Sequence, residues 1–423
     1  MNRLPCCART LFASVARVPF FYFFFSVLIC VHPWFQASAY AHAEAEGGTT
    51  LTGIDVLEAQ NFVPLAGKRI GLITNQTGID RGGRSTIDLL AHAPGVKLTA
   101  LFSPEHGIRG TADDRVASST DKTTGLPVYS LYGDTLRPTD GQMAGLDALV
   151  FDVQDAGVRF YTYVTTMGYA MEAAAAHHVA FYVLDRPDPL GGGIVEGPIL
   201  DRDRTNFVGY FPMPVRMGMT LGEMALMFNE QNKTGCDLHV IRMENWRRRF
   251  WFDETGLPWR NPSPNLRSLT AGILYPGLEI LQAGGVSVGR GTDRPFELLG
   301  APWIRGGELA TALNRRAIPG VRFETEAFTP DSAPYKGQRC DGVRIILTSR
   351  DALQPLQMGI EIVLALQTLY PGKFEPGKTM ALLGNAATVQ KLAAGIDAEM
   401  IVAGWNEEIE AFRKLRSKYL LYR

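Results

Sequence analysis

The stretch Val96-Lys97-Leu98-Thr99-Ala100-Leu101-Phe102-Ser103-Pro104-Glu105-His106-Gly107 decides how this chain is read. Its first half is an apolar run that predicts a buried strand. Pro104 stops that strand and Gly107 lets the backbone turn. Glu105 and His106 are therefore held side by side at a strand's C-terminal end. In open α/β sheets ligands bind outside that edge. A carboxyl withdrawn from water favours its protonated form and can serve as a general acid. A solvated loop glutamate beside a capping histidine is the plainer alternative for these two residues alone.

Working outward, the same pattern recurs. Residues 68–75, 147–155 and 179–185 read as further apolar strands. A short helix starting behind Ser85 and a longer one over residues 165–178 separate them. Strands alternating with helices predict an α/β fold with a parallel sheet covered on both faces. Right-handed crossovers then bring the strand ends to one edge. Asn75, Glu105, Asp152 and Asp185 each close one strand, with His106, Gln154, Asp155, Arg159 and Arg186 just beyond. Asp and Asn are also common there as turn residues, so each taken singly has two readings. Further on, Thr220 to Glu223 has the form of a capping box. Residues 261–265 form a Pro-rich connector, and residues 407–418 an amphipathic helix.

The ends bound the compartment. Arg3, Arg9 and Arg17 precede an apolar stretch over residues 20–31, and small residues follow at Ala37, Ala39, Ala41 and Ala43. This is the pattern of a secretory signal peptide over residues 1–43, too short in its apolar part for a comfortable membrane span. Losing three arginines and no acid takes the net charge from −1 to −4. That balance argues against nucleic acid, which wants a basic face. Cys236 and Cys340 stay behind after cleavage, either paired or as two buried thiols. No spacing of Cys and His suggests a metal site.

Other motifs are weak. Gly285-Val286-Ser287-Val288-Gly289 fits a nucleophile elbow, but no histidine follows it in the chain. The first strand runs into Asn75-Gln76-Thr77-Gly78 rather than a dinucleotide-binding glycine fingerprint. Tyr161 and Tyr163 flank Thr162 just after Arg159. Aromatic faces suit sugar rings and a guanidinium grips carboxylates, although a half-buried strand would show the same spacing. Residues 289–297 add a second polar loop.

Taken together, these segments resemble the exo-acting β-N-acetylmuramidase family of peptidoglycan hexosaminidases. The likeness is carried by Ile73-Thr74-Asn75, by Ser103 to Gly107, by Asp152 to Tyr163, and by Asp185-Arg186-Pro187 with Pro189 to Gly192. Pro262 to Leu266, Tyr275-Pro276-Gly277, Gly289 to Asp293, and Trp405 through Tyr422 complete it. The resemblance implies a Rossmann-like parallel-sheet domain, placed at 50–262, and a smaller C-terminal α/β auxiliary domain at 263–423, with the active site in the cleft between them. It implies removal of the terminal non-reducing N-acetylmuramic acid from peptidoglycan fragments, with no cofactor. Glu105 takes the family's acid position, and His106 is expected to tune or orient it. Asn75, Asp152, Gln154, Arg159, Tyr161, Tyr163, Asp185, Asn265, Glu279, Arg290, Thr292, Asp293 and Glu297 are expected around the substrate. Arg159 or Arg290 would hold the lactyl carboxylate, and Tyr161 or Tyr163 would stack. The second catalytic group is open among Asp152, Asp185, Glu279, Glu297 and the substrate's own acetamido group. The expected partner is a peptidoglycan-derived oligosaccharide in the periplasm or outside the cell, with no nucleic acid and no membrane after cleavage. A serine esterase using Ser287 and a non-catalytic glycan-binding protein are the rival readings.

Overall fold

A computed structural model describes residues 48–110 and 117–423. The signal-like segment lies outside the described residues. The described residues fall in one compact unit.

Seven strands make the main sheet: β1 Arg69–Thr74, β2 Lys97–Ser103, β3 Ser119–Thr120, β4 Pro127–Ser130, β5 Ala148–Asp152, β6 Ala180–Leu184 and β7 Leu238–Ile241. Their order is β3-β4-β2-β1-β5-β6-β7, and only β3 is antiparallel to its neighbour. Leaving β3 aside, the parallel strands run third, second, first, fourth, fifth, sixth. That is the doubly wound order of Rossmann folds.

Side chains alternate between the sheet's faces. Ile70, Leu72, Leu101, Val150 and Tyr182 pack under the helices Gly53–Ala59 and Thr86–Ala91. Ile73, Phe102, Phe151, Phe181 and Val183 pack under the helices Tyr163–Ala176 and Leu221–Gln231. Each such side chain contributes about 1.5–3 kcal/mol by leaving water. Both capped helices start as expected. Ser85 Oγ accepts the Asp88 amide, and Thr220 and Glu223 close a capping box. The pairing of β1 with β2 skips Thr99, whose hydroxyl donates to Ile70 O.

The C-terminal region holds a second, antiparallel sheet: β8 Leu298–Ala301, β9 Val321–Phe328 and β10 Cys340–Leu347, ordered β8-β10-β9. The helices Leu269–Gln282 and Pro355–Leu369 cross nearly backbone to backbone. A Cβ on Gly277 would lie 1.9 Å from Pro355 O, and one on Gly359 2.4 Å from Gly277 O. That contact fixes the helix Leu269–Gln282, which turns Tyr275 and Glu279 toward the main sheet. These two residues lie four apart and so share one helix face. Cys236 and Cys340 are both buried free thiols.

Candidate active site

Two recesses open beyond the carboxyl ends of the strands. At the switch point between β1 and β5 the chain has filled the crevice. Thr77 Oγ1 donates to Asn75 Oδ1 at 2.6 Å and accepts the Gln154 amide at 2.8 Å. Arg186 donates to both oxygens of Asp152, at 2.6 and 2.9 Å, and to Ile79 O at 2.9 Å. Thr86 Oγ1 completes the Asp152 shell. About 20 Å³ remains, lined by Thr77, Asp80, Gln154, Arg186 and Phe252 among others. That is room for a water or so.

The second recess lies one strand over, at the end of β2. Here a hollow of about 180 Å³ is lined by Glu105 and His106, by Phe160, Tyr161 and Thr162, and by Ser263, Tyr275, Glu279, Arg290 and Phe296, with Tyr132, Phe207, Val208 and Leu382 completing the wall. It would take on the order of ten waters, comparable in atoms to one pyranose ring. His106 adopts φ 70° and Gly107 φ 76°. This left-handed turn is tolerated by Gly and enriched for His among other residues. It swings the chain out of β2 so that Glu105 and His106 both face the hollow. Thr162 Oγ1 donates to Glu105 Oε2. Arg290 donates to Glu279 Oε1 at 2.7 Å, and its guanidinium carbon lies 5.3 Å from the centre of the Phe296 ring. Tyr275 meets Phe160, Tyr161 and Phe296 edge to face, with centroids 5.5, 6.2 and 4.9 Å apart. Burial pushes the Tyr161 and Tyr275 phenols well above their ordinary range, with neighbouring tyrosine and carboxylate charge adding to it. Both stay neutral. The Tyr161 ring is buried edge to face against Tyr163, centroids 4.7 Å apart.

Of the expected residues, Glu105, His106, Tyr161, Glu279 and Arg290 line this hollow. Several others need correction. Arg159 is 0 % exposed and donates to Pro198 O, Met213 O, Leu382 O and Leu383 O at 2.7–3.1 Å. It pins loops together and has no donor fork left for a substrate carboxylate. Tyr163 is equally buried. Its hydroxyl accepts from Asn75 Nδ2 at 2.8 Å and donates to Pro262 O at 2.9 Å, with Glu105 O at 3.4 Å. Tyr163 and Asn75 therefore fix the loops that frame Glu105 and offer no stacking face. Asp152 is committed to Arg186. Asp185 accepts from Thr220 Oγ1, Tyr422 Oη and the Gly222 amide at 2.6–2.9 Å, while burial raises it to about 6. Gln154 donates to Asp155 O and Pro187 O.

Asn265 is buried beside Ser263, its backbone N–H donating to Ser263 Oγ at 3.3 Å. Thr292 Oγ1 donates to Gly289 O at 2.6 Å and shapes its own turn. Asp293 is 82 % exposed at its side chain, and Glu297 accepts from Ser268 Oγ at 3.4 Å. None of these four lines the hollow. Ser287 is 0 % exposed, bridged by its backbone to Gly300, and follows a helix rather than a strand. It is no nucleophile elbow. Thr162 and Tyr275 were missed as site residues, although both lie inside quoted motifs. Thr162's place between two tyrosines was the available signal.

A doubly wound sheet whose nucleotide crevice is filled, and whose polar hollow carries two carboxylic acids among aromatic rings and a guanidinium, defines an α/β protein built around a small polar ligand. Comparisons with known proteins then name the family. The chain belongs to the exo-β-N-acetylmuramidase NamZ family: its N-terminal model matches residues 70–270 and its C-terminal model residues 273–422. The peptidoglycan β-N-acetylmuramidase NamZ of Bacillus subtilis (strain 168) is 44 % identical over 376 residues, spanning 88 % of this chain and 91 % of that one. Two crystal structures of DUF1343 family proteins from Bacteroides fragilis share the fold. One has a TM-score of 0.83 at 37 % identity and the other 0.72 at 31 %, each covering 89 % of this chain and 99 % of its own.

Proposed function

We infer that this chain is an exo-acting β-N-acetylmuramidase, a glycoside hydrolase that releases terminal N-acetylmuramic acid from peptidoglycan fragments. The family and the Bacillus subtilis relative support this. The observation that carries it within the molecule is the hollow itself, where Glu105 shares one sugar-sized space with Arg290.

In this reading Glu105 gives its proton to the glycosidic oxygen as the bond to the anomeric carbon breaks and positive charge spreads over the ring. The Thr162 hydroxyl on Oε2 fixes the carboxyl and leaves the other oxygen to carry the proton. His106 holds the loop in its left-handed turn and faces the same space. Arg290 pairs with the lactyl carboxylate, the group that distinguishes muramic acid from other hexosamines, in a charge-assisted contact. Tyr161 supplies part of the aromatic wall. Glu279 is the carboxylate that shares the hollow with Glu105. The substrate's acetamido oxygen is the other nucleophile the chemistry allows, and a Glu279→Gln variant that keeps its turnover would assign the step to the acetamido group.

We further propose that residues 50–262 supply the acid and residues 263–423 the Arg290 side, with the substrate bound between the two regions. Residues 1–43 would direct export, placing the enzyme in the periplasm or outside the cell. Sequencing the N-terminus of the exported protein tests the latter. For the activity, incubation with a muramic acid–glucosamine disaccharide free of stem peptide should release both sugars by mass spectrometry. An intact disaccharide after prolonged incubation would favour a glycan-binding protein instead.

A further inference from the structure

Outside the buried floor of the hollow lies a second aromatic group that the mechanism above does not use. Tyr132 follows β4, and Phe207 sits at the tip of the tight turn Asn206 to Gly209. Their ring centroids are 5.8 Å apart at 31°. Both are part-buried, whereas Tyr161, Tyr275 and Phe296 beneath them are buried. The pair is held from behind. Tyr169 lies 6.2 Å from Phe207 at 35°, and the Arg137 guanidinium covers Tyr169 at 3.9 Å. Arg137 is ion-paired with Glu172, which also accepts from Tyr210 Oη at 2.8 Å. Two separate loops are thus pinned to the helix Tyr163–Ala176, and their rings are ordered before any ligand arrives. Pre-ordering of this kind lowers the cost of binding.

We propose that Tyr132 and Phe207 form the subsite for the leaving sugar, the pyranose on the far side of the scissile bond. This rests on the exo-acting reading above. An enzyme that takes only a chain's terminal unit must seat that unit in the closed end and let the rest of the chain leave through the mouth. The closed end is the buried floor of Tyr161, Tyr275 and Phe296, and the part-buried Tyr132–Phe207 pair stands outside it. A pyranose carries an apolar C–H face that fits an aromatic ring, and the pair offers two such rings tilted 31° to one another.

The test compares two substrates. The muramic acid–glucosamine disaccharide reaches the platform, whereas methyl β-N-acetylmuramide has no second ring. Phe207→Ala and Tyr132→Ala should each raise KM for the disaccharide roughly three- to tenfold more than KM for the methyl glycoside. Phe207→Trp should restore the disaccharide KM, and thermal melting should confirm that all variants are folded. Equal losses on both substrates, or an unchanged disaccharide KM in folded variants, would overturn the subsite. A wild-type enzyme that cleaves neither substrate would instead overturn the muramidase reading and the subsite with it.

Discussion

The ends of β5 and β2 invite comparison. Each carries an acid where a parallel strand gives way to a loop, and each acid lies beside a basic or imidazole side chain. Asp152, closing β5, is 0 % exposed and saturated by Arg186 and Thr86. Glu105, two residues past β2, is part-buried on the wall of a hollow. The difference is made by the backbone after the strand. Asp152 ends its strand in register, beneath the following loops. Past β2 the chain runs through Pro104 into the left-handed turn at His106 and Gly107, which carries Glu105 out over the edge. A strand-end acid can therefore hold a fold together or do chemistry, and the following few dihedral angles decide which.

The comparison predicts a double dissociation, with Glu105 supplying its larger half. Glu105→Gln keeps the shape and the Thr162 contact but removes the proton. Turnover of a muramide whose leaving group needs protonation should fall about 10²- to 10⁴-fold, with the melting temperature unchanged. A Gln variant with near-wild-type turnover would take the acid role away from Glu105.

How much of this contrast was legible beforehand follows from local physics. The Phe102 to Gly107 segment announced itself because Pro and Gly punctuate an apolar strand. That β1, β2, β5 and β6 are parallel strands of one sheet followed from alternation, whereas their order in it did not. Two things were hidden. Asp152 and Asp185 looked like site residues because strand-end acids share one sequence signature, and only the partners Arg186, Thr220 and Tyr422, up to 237 positions away, show them to be spent. The opposite wall was obscured because Pro276 interrupts the helix Leu269–Gln282 in sequence but not in space, so Tyr275 and Glu279 did not read as neighbours on one face. Half-exposed β7 and four-residue β4 lack the apolar run that marks a buried strand.

The other half of the dissociation belongs to Asp152. Asp152→Asn leaves the Arg186 charge buried with half its partner gone. Breaking a buried pair costs about 3–5 kcal/mol, so the melting temperature should drop strongly. Turnover per folded molecule should stay within a few-fold, read by urea denaturation alongside the disaccharide assay. A variant that melts normally but is inactive would return Asp152 to the reaction.

Asp155 sharpens the structural side through pH. Burial pushes it up to about 7, with the Asp188 charge adding to the rise and the Gly157 and Ala156 amides opposing it. The unfolded chain gives up that proton near the ordinary value of about 4. Between those two values the folded protein holds a proton that the unfolded one lacks, so this group's contribution to stability falls as pH rises through the window. Its full cost, a few kcal/mol, applies above about pH 7. Asp155→Asn should flatten the decline in melting temperature from pH 5 to 8 relative to wild type. Some slope should remain, because Asp188 is also raised by burial, to about 6. Parallel curves for the two proteins would mean that Asp155 is charged in the folded state throughout.

The smallest effect is expected at Ser287, and its smallness is informative. It has the one motif that points to a different chemistry, yet its Oγ accepts the Gly289 amide at 3.3 Å inside a fully buried loop. Ser287→Ala removes one weak hydrogen bond, which costs about 1 kcal/mol, and should leave disaccharide turnover within twofold. The motif's two glycines explain the pattern without a nucleophile, since Gly285 and Gly289 both take left-handed turns, at φ 105° and 81°. They bend the chain between the helix Leu269–Gln282 and β8, and in doing so they bring Arg290 to the hollow. A tenfold loss of turnover in a normally melting Ser287→Ala protein would instead place the reaction on this loop and leave Glu105 as one more strand-end acid.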